Sequence, residues 1–467
     1  MAQEFKVSRL RKIVYGVGSL GDGGWFQVMS TFLLYFYITV VKLDPWLSSL
    51  AYAFSFGVWN LINDPIIGNL SDQTRSRWGR RKPWIMIGAL LCFLSSIFIW
   101  TPPVEGSLAN PYNLGIFAYA LIAIAIAEFT YTMCAVPYLS LLPETFTNVK
   151  ERSEVAAYRN TWGIVGGMIA MVLFPMFITS FASQFGEIGA YAWASIVVIA
   201  IYMFAYVVGG VVGGKERKEF SAEKPLGFFE SLKTTITNKS LLTYEGAHVM
   251  SYTSGVWLSA MSPFLVQCSL GMALEAVAIT FLTNLVATVA FFILWRKFCI
   301  RYGARKAVMV SMVAFTLAIF PVLLVNDIIA FALWGFLTGA TIGGVIIGRE
   351  VIFGDIIDED EITSGRRREG CLLGVIVSLE KMSLVIVGVS TAVVLSLIGY
   401  VSDLDPLLQP PSVGWGIRLG MLGFQLFYMA TTLISLKFYP LTKERCDEIA
   451  RKLEEIHTEK AEKLEEA

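Results

Sequence analysis

Long apolar stretches alternate with short polar ones along almost the whole chain. Each apolar stretch is about 20 residues long or longer, the length that an α-helix needs to cross roughly 30 Å of hydrocarbon. The pattern predicts an all-α membrane protein with twelve transmembrane helices. The predicted helices cover residues 13–41, 47–70, 84–102, 113–142, 156–181, 189–213, 241–268, 273–295, 306–325, 327–348, 371–400 and 413–438.

A polar stretch near the middle of the chain separates six of these apolar stretches from the other six. The basic segment 295–306 takes, in the second half, the place that the basic segment 75–82 takes in the first. Two related halves are typical of transporters whose halves rock around a central binding site. The predicted organisation is an N-terminal six-helix half (1–213), a cytoplasmic middle loop (214–240), a C-terminal six-helix half (241–438) and a cytoplasmic tail (439–467).

Basic residues are concentrated in alternate loops. They cluster at 75–82, 150–152, 215–239, 296–306 and 366–368, whereas the intervening loops carry few. By the positive-inside rule we expect both termini and the middle loop in the cytoplasm. Basic residues also precede the first apolar stretch, which has no small-residue cleavage site. We therefore expect that helix to remain in a multi-pass protein of the cytoplasmic membrane.

The composition supports a membrane protein and excludes several other classes. Hydrophobic residues make up 55% of the 467 residues, charged residues 16%, and the mean hydropathy is +0.62. The formal net charge is +0, so we expect small solutes and membrane lipid as partners and no nucleic acid. Six cysteines lack CxxC spacing and only two histidines occur. We therefore expect no cofactor, no metal beyond a coupling ion, and no enzyme activity, since no catalytic motif is present.

Asp64 is a carboxylate inside an apolar helix. A charge at membrane depth costs roughly 2.5–3.5 kcal/mol on insertion scales, so it usually has a function. Asn60 lies one helical turn before Asp64 on the same face, and Pro65 leaves one backbone carbonyl without its helical donor. These features predict a small-cation site. A structural carboxylate paired with a basic residue on a neighbouring helix is the alternative.

Other charged residues also lie within apolar segments. Glu128 and Thr132 share one face of the fourth predicted helix. Lys381 lies within the eleventh predicted helix, where an ammonium needs a partner such as Asp64 or Glu380. Glu128 and Glu380 act directly, or they lie near an aqueous vestibule or pair inside the bundle; the sequence leaves both open.

One stretch carries a resemblance to a known family. The segment Gly68-x-x-x-Asp72-x-x-Arg75-x-Arg77-Trp78-Gly79-Arg80-Arg81 resembles the loop motif between helices two and three of major facilitator superfamily transporters. Together with Asn63-Asp64-Pro65 and Lys82-Pro83-Trp84, it resembles the glycoside-pentoside-hexuronide:cation symporters. The resemblance implies a major facilitator fold and cation-coupled transport without chemistry on the solute.

The resemblance also implies particular site residues. The family's cation-binding positions match Asn60, Asp64 and Thr132, with Lys381 nearby, and an amide thus replaces one of two carboxylates. Sodium and protons therefore both remain possible coupling ions. The family's sugar-binding carboxylates match Gly23 and Ala135, so galactoside specificity does not carry over. The candidate substrate-binding residues are Asp22, Trp25, Glu128, Tyr131, Arg159, Tyr252, Trp257 and Lys381.

Charged residues near the cytoplasmic loops are candidates for gating. The segment 355–370 resembles the family's loop between helices ten and eleven, and its charges would pair between the two halves during transport. A plain solvated loop is the alternative. The candidate gating residues are Asp72, Arg75, Arg80, Arg81, Asp355 and Arg367.

We expect a symporter that couples Na⁺ or H⁺ to the uptake of a sugar or glycoside-like solute by alternating access. A lysolipid symporter of the same family is the alternative within this fold. A membrane enzyme or a non-transporting sensor is the alternative outside it, and the chain has neither a catalytic motif nor a large soluble domain.

Overall fold

The computed structural model describes residues 7–103, 112–146, 149–216, 238–364, 372, 376, 379–449, 451–453 and 455. These residues are predominantly helical, as predicted, and include no strand. The main α-helices are α1 (Arg9–Tyr35), α2 (Pro45–Ala53), α3 (Trp59–Gln73), α4 (Lys82–Ile99), α5 (Leu114–Thr145), α6 (Val149–Val207), α7 (Lys239–Phe264), α8 (Ala276–Tyr302), α9 (Ala304–Ile319), α10 (Ile328–Ser364), α11 (Met382–Leu397) and α12 (Pro411–Lys437).

Local chemistry explains several helix starts. Asp44 caps α2, because its carboxylate accepts hydrogen bonds from the backbone N–H groups of Trp46 and Leu47 at 2.9 and 3.2 Å. Pro45 follows at the first helical position, where its missing N–H costs nothing. Asn113 caps α5 in the same way, through the N–H groups of residues 115 and 116.

The longest helix covers two predicted spans. In α6 the backbone leaves helical geometry at Gly186, whose φ is 69° and ψ 175°, between the predicted spans 156–181 and 189–213. Among the described residues, seven helices are long and apolar enough to cross a membrane, with α6 and the segment after it counted once. The count of twelve spans therefore stays a prediction.

The chain forms two compact units. The first comprises residues 1–224, 258–278 and 384–417, and the second comprises 225–257, 279–383 and 418–467.

Backbone contact between α1 and α6 organises the first unit. A Cβ atom on Gly166 would lie 2.1 Å from the carbonyl oxygen of Leu20, and one on Gly23 would lie 2.4 Å from that of Gly163. Only glycine permits such a close approach, so the two helices pack with no side chain between them at these positions.

A buried polar bridge joins three helices of the second unit. Gln425 of α12 accepts a hydrogen bond from Ser254 of α7 at 2.7 Å and donates one to Thr316 of α9 at 3.1 Å. Gln425 is fully buried, so this satisfied network fixes the arrangement of the three helices.

Within the described ranges, four π-helical turns interrupt or extend the α-helices. They cover Phe36–Val40, Phe54–Val58, Val208–Gly213 and Leu265–Ser269. The turn at Phe54–Val58 joins α2 to α3 and ends two residues before Asn60. Such turns often occur at functional sites, because they change the faces that later residues occupy.

Helix α10 continues well beyond its predicted end. The prediction places the end of the tenth span at residue 348 and a loop from Asp355, whereas the helix runs to Ser364. Ile352 and Ile356 lie one turn apart and are buried, and neither glycine nor proline follows before the helix ends. The buried apolar face therefore extends the helix through the acidic segment.

Candidate functional site

Asp64 of α3 faces Thr132 of α5. The Thr132 hydroxyl donates a hydrogen bond to Asp64 Oδ1 at 3.1 Å. Thr132 is buried, whereas Asp64 is partly exposed. Pro65 lies inside α3 and has no N–H to donate, so the backbone carbonyl of Leu61, four residues earlier, lacks its usual helical donor.

A second pair lies one helical turn away. Asn60 Nδ2 donates to Glu128 Oε1 at 2.6 Å and also to the carbonyl oxygen of Phe56 at 2.8 Å. Asn60 and Glu128 are each 2% exposed. Because four residues advance a helix by about 6 Å, the Asn60–Glu128 and Asp64–Thr132 pairs form two successive rungs between α3 and α5.

Sequence reasoning missed two residues beside these rungs. Asn63 is fully buried and donates to Asn60 Oδ1 at 3.2 Å, and its own Oδ1 has no hydrogen-bond partner among the described residues. Tyr52 of α2 is buried close enough to interact electrostatically with Glu128, and its hydroxyl has no hydrogen-bond partner in the described part of the chain. Asn63 belongs to the Asn63-Asp64-Pro65 motif, so the sequence contained a signal for it but none for Tyr52.

This cluster can hold a cation. Carboxylate, amide, hydroxyl and backbone carbonyl oxygens are the ligands that hard cations prefer. Asp64 and Glu128 provide two carboxylates on facing helices, and Asn63 provides an amide oxygen. We call residues Asn60, Asn63, Asp64, Glu128 and Thr132 the α3–α5 cluster. A carboxyl group in such a site is also able to exchange a proton, so the geometry alone admits both ions.

Asp22 of α1 is the centre of a separate polar group in the first unit. It accepts a hydrogen bond from Tyr131 of α5 and another, at 2.9 Å, from Tyr206 of α6. Asp22 remains partly exposed. Sequence reasoning predicted Asp22 and Tyr131 but missed Tyr206, which lies 184 residues from Asp22 along the chain.

The neighbouring aromatic and basic candidates have defined partners as well. Trp25 stacks on Tyr131 with ring centroids 4.0 Å apart, and its indole is 1% exposed, so this conformation buries the predicted stacking surface. Arg159 donates to the Ser19 hydroxyl at 3.0 Å and lies over the ring of Tyr138, 5.5 Å from the centroid. Aromatic rings, a carboxylate and a guanidinium thus surround one part of α1.

The structure also explains why residue 23 is glycine, where the resemblance implies a carboxylate in other members. Gly23 touches the backbone of Gly163, and any side chain there would collide with α6. A carboxylate at this position is incompatible with the observed helix packing. Asp22, one residue earlier, lies on a different face of α1.

Three substrate-site candidates belong to the second unit. Trp257 is 1% exposed and packs against Phe424 and Tyr428. Arg349 lies over the ring of Tyr252 at 5.4 Å. Lys381 is partly exposed and lies at a single turn residue between the helical residues 379–380 and the start of α11.

Four predicted gating residues form a charged group at one end of the first unit. Arg81 forms ion pairs with Asp72 at 2.9 Å and with Glu144 at 2.8 Å, and Arg80 also pairs with Glu144. Arg75 donates to the backbone carbonyl of Asp72 at 3.2 Å. Glu144, which sequence reasoning missed, is nearly buried between the two arginines.

Glu216 provides a further contact for the same segment. Its carboxylate accepts hydrogen bonds from the backbone N–H groups of Arg80, Arg81 and Lys82 at 2.7, 3.0 and 3.2 Å. A carboxylate at the N-terminus of α4 interacts favourably with the positive end of the helix dipole. The segment that follows the Val208–Gly213 turn is thereby attached to the start of α4.

The remaining gating candidates are on the second unit. Asp355 lies on the extended part of α10, within hydrogen-bonding range of Cys446. Arg367 lies outside the described residues.

Comparisons with known proteins agree on one family. A family model described as "MFS/sugar transport protein" matches residues 14–443. The sodium-dependent lysophosphatidylcholine symporter 1 of Gallus gallus is 23% identical, over 97% of this chain and 90% of its own length. The putative glycoside/cation symporter YagG of Escherichia coli is 24% identical, over 95% of this chain and 94% of its own length.

A solved structure shows a similar fold. It is a bacterial homologue of the human lysosomal transporter Spinster in an inward-facing, unoccupied conformation. The TM-score is 0.66 at 13% identity, and the match covers 92% of this chain and 96% of that protein. The low identity limits this comparison to the fold.

Proposed function

Since this chain belongs to the MFS/sugar transport protein family, we propose that it is a sodium-coupled symporter of a sugar or glycoside. Family membership confirms three sequence-based predictions: the all-helical major facilitator fold, the symport function and the absence of an enzymatic role. The protein is a multi-pass membrane transporter whose partners are a small solute and a coupling cation. We propose that it resides in the cytoplasmic membrane with both termini in the cytoplasm, from its distribution of basic loops.

The α3–α5 cluster is the observation that carries the proposal for the cation. The Asn60–Glu128 and Asp64–Thr132 rungs place two carboxylates on facing helices one turn apart. In this chain Asn60 replaces a carboxylate of the family pattern, and Glu128 supplies a negative charge at the same rung from the other helix. The charge expected of a sodium site is thereby retained with a different residue.

Two features favour sodium over the proton as the ion at this cluster. Neutral oxygen ligands from Thr132, Asn63 and the backbone before Pro65 are useful to a metal ion but unnecessary for a proton. The named Gallus gallus relative is sodium-dependent, which supports the same ion for this chain. The proton remains the competing ion, and the experiment below separates the two.

A change in thermal stability on adding sodium tests the ion without knowledge of the solute. A ligand that binds only the folded protein raises its melting temperature. Sodium chloride should stabilise the purified protein more than equimolar choline chloride, and the difference should saturate. An identical response to both salts would contradict the sodium site. Uptake that follows an imposed pH gradient, and is unchanged by removing sodium, would assign the coupling to the proton.

The group around Asp22 supports a sugar or glycoside as the solute. A partly exposed carboxylate accepts hydrogen bonds from sugar hydroxyls, and nearby aromatic rings provide stacking surfaces. Asp22, Tyr131 and Arg159 are the residues we propose for this role. The glycoside/cation symporter among the relatives supports the same solute class.

A lysolipid is the second candidate solute, because the Gallus gallus relative is named for lysophosphatidylcholine. Sugars, glycosides and lysophosphatidylcholine should be compared as ligands in the same thermal-shift assay, with sodium present. Binding should then be followed by counterflow of the labelled ligand in proteoliposomes, since exchange across a sealed membrane requires a carrier. Counterflow of a sugar supports our proposal, and counterflow of lysophosphatidylcholine alone contradicts the sugar assignment.

A further inference from the structure

A second group of ionisable side chains, buried or partly buried, lies in the second unit, apart from the residues assigned above to the cation. Glu245 of α7 is 4% exposed, and neither of its carboxylate oxygens has a hydrogen-bond partner among the described residues. His248 lies one turn further along α7, with Nε2 3.6 Å from Glu380 Oε2. Glu245 is also close enough to Glu380 to interact with it electrostatically. Two carboxyl groups and an imidazole therefore share one region, which we call the α7 cluster.

The surroundings of the α7 cluster hold His248 in place. The Tyr244 hydroxyl contacts His248 Nδ1 at 3.2 Å and donates to the backbone carbonyl of Arg349 at 3.2 Å. The guanidinium of Arg349 lies over the ring of Tyr252. The described titratable and charged groups that face the cluster from α7, α10 and the segment before α11 are Tyr244, Tyr252, Arg349, Glu350 and Glu380, with Lys381 adjacent to Glu380 in the chain.

The geometry suits a proton better than a metal ion. Glu245, His248 and Glu380 are not arranged to hold a metal ion together, and no neutral oxygen ligand has been assigned beside them. An ionised carboxylate that is buried without hydrogen bonds is strongly unfavourable, and the neighbouring Glu380 increases the penalty by repulsion. Glu245 avoids both costs as the neutral acid, which requires a proton taken from water.

We propose that Glu245, His248 and Glu380 form a proton-binding site in the second unit. The proton forms an O–H bond on the Glu245 carboxyl group, and its release leaves a carboxylate close to Glu380. The imidazole Nε2 of His248 lies 3.6 Å from Glu380 Oε2, so Glu245 and His248 place two proton-accepting groups beside that carboxylate. The chain thus binds a proton at one group of residues and, by the function proposed above, sodium at another.

The dependence of stability on pH tests this site. The folded protein binds a proton that Glu245 has already released in the unfolded chain at neutral pH, so stability falls as the pH rises. The melting temperature of the purified wild-type protein should therefore decrease from weakly acidic to alkaline buffer. Glu245→Gln should flatten this decrease, because an amide does not titrate. Glu187→Gln is the control, since Glu187 is exposed on α6, is not among the groups that face the α7 cluster, and should leave the slope unchanged. Equal slopes in wild type and Glu245→Gln would overturn the proposal.

Infrared spectroscopy provides a test that does not require Glu245→Gln to fold. The wild-type protein at neutral pH should show the carbonyl band of a protonated carboxylic acid, and alkaline buffer should remove it. The band should persist in Asp64→Asn and in Glu128→Gln, because those carboxyl groups belong to the α3–α5 cluster. Absence of the band from the wild type, or its loss in either of these variants, would overturn the assignment to the α7 cluster.

Discussion

The two units surround the carboxyl groups within their helices differently. In the first unit, Asp64 and Glu128 accept hydrogen bonds from the neutral groups Thr132 and Asn60. In the second unit, Glu245 has no hydrogen-bond partner among the described residues and lies near another carboxylate. Hydrogen bonds stabilise the ionised form of a carboxyl group, whereas burial without them stabilises the neutral form.

The comparison teaches that a buried acid alone does not identify its ion. The α3–α5 cluster adds amide and hydroxyl oxygens around its carboxylates, which a metal ion needs as additional ligands. The α7 cluster instead adds the imidazole of His248, a group that can accept a proton. The surrounding side chains therefore separate a candidate sodium site from a candidate proton site.

The largest expected effect comes from Asp64→Asn. The substitution keeps the size of the side chain and removes the charge, so sodium should no longer raise the melting temperature and concentrative uptake should be lost. Glu245→Gln, the equivalent change in the α7 cluster, should keep full stabilisation by sodium. Normal stabilisation by sodium in Asp64→Asn would remove the distinction between the two clusters.

The next effect tests whether Glu128 supplies the charge that Asn60 lacks. Glu128→Gln should raise the sodium concentration needed for half-maximal stabilisation by about tenfold or more, since two charges about 4 Å apart near a protein surface interact by ~4 kcal/mol before desolvation. Asn60→Asp should lower that concentration in neutral or weakly alkaline buffer. The measurement is a sodium titration of the melting temperature for each variant. Unchanged half-maximal concentrations in both would place Glu128 outside the site.

A smaller effect is expected from Thr132→Val. The change removes one hydroxyl with little change in volume, and a hydrogen bond contributes about 1 kcal/mol, so sodium affinity should fall by roughly fivefold. Thr130→Val is the matched control. The Thr130 hydroxyl contacts Ser95 at 2.8 Å, and Thr130 does not share the face of α5 on which Thr132 meets Asp64. Equal losses in both variants would indicate a general effect on helix packing.

The helices and part of the α3–α5 cluster were predictable from the sequence. Apolar length predicts the spans because the membrane core has a fixed thickness, and four-residue spacing places Asn60 beside Asp64 and Glu128 beside Thr132. In the structure, Asn60 of α3 faces Glu128 of α5, and Asp64 of α3 faces Thr132 of α5. Helix periodicity gives the face of a residue but not the partner that the face meets.

The residues that sequence reasoning missed depend on tertiary packing. Tyr206 reaches Asp22 from α6, 184 residues away, and no local pattern connects them. Glu144 lies between Arg80 and Arg81 because the end of α5 meets the start of α4. No local sequence pattern predicts that contact. The continuation of α10 into the acidic segment was also missed, since the charges of that segment conceal the buried Ile352 and Ile356.

The π-helical turn at Phe54–Val58 makes the α3–α5 cluster sensitive to the length of the chain as well as to its residues. A π turn accommodates one residue more than an α turn, and each residue rotates a helix by about 100°. Deleting a single residue from this turn would restore a regular helix and rotate Asn60 and Asp64 relative to α2 by that angle. Every proposed ligand would remain in the sequence, yet α3 would present a different face to Glu128 and Thr132. Related chains that differ by one residue here would therefore differ in their ion site even with identical ligands.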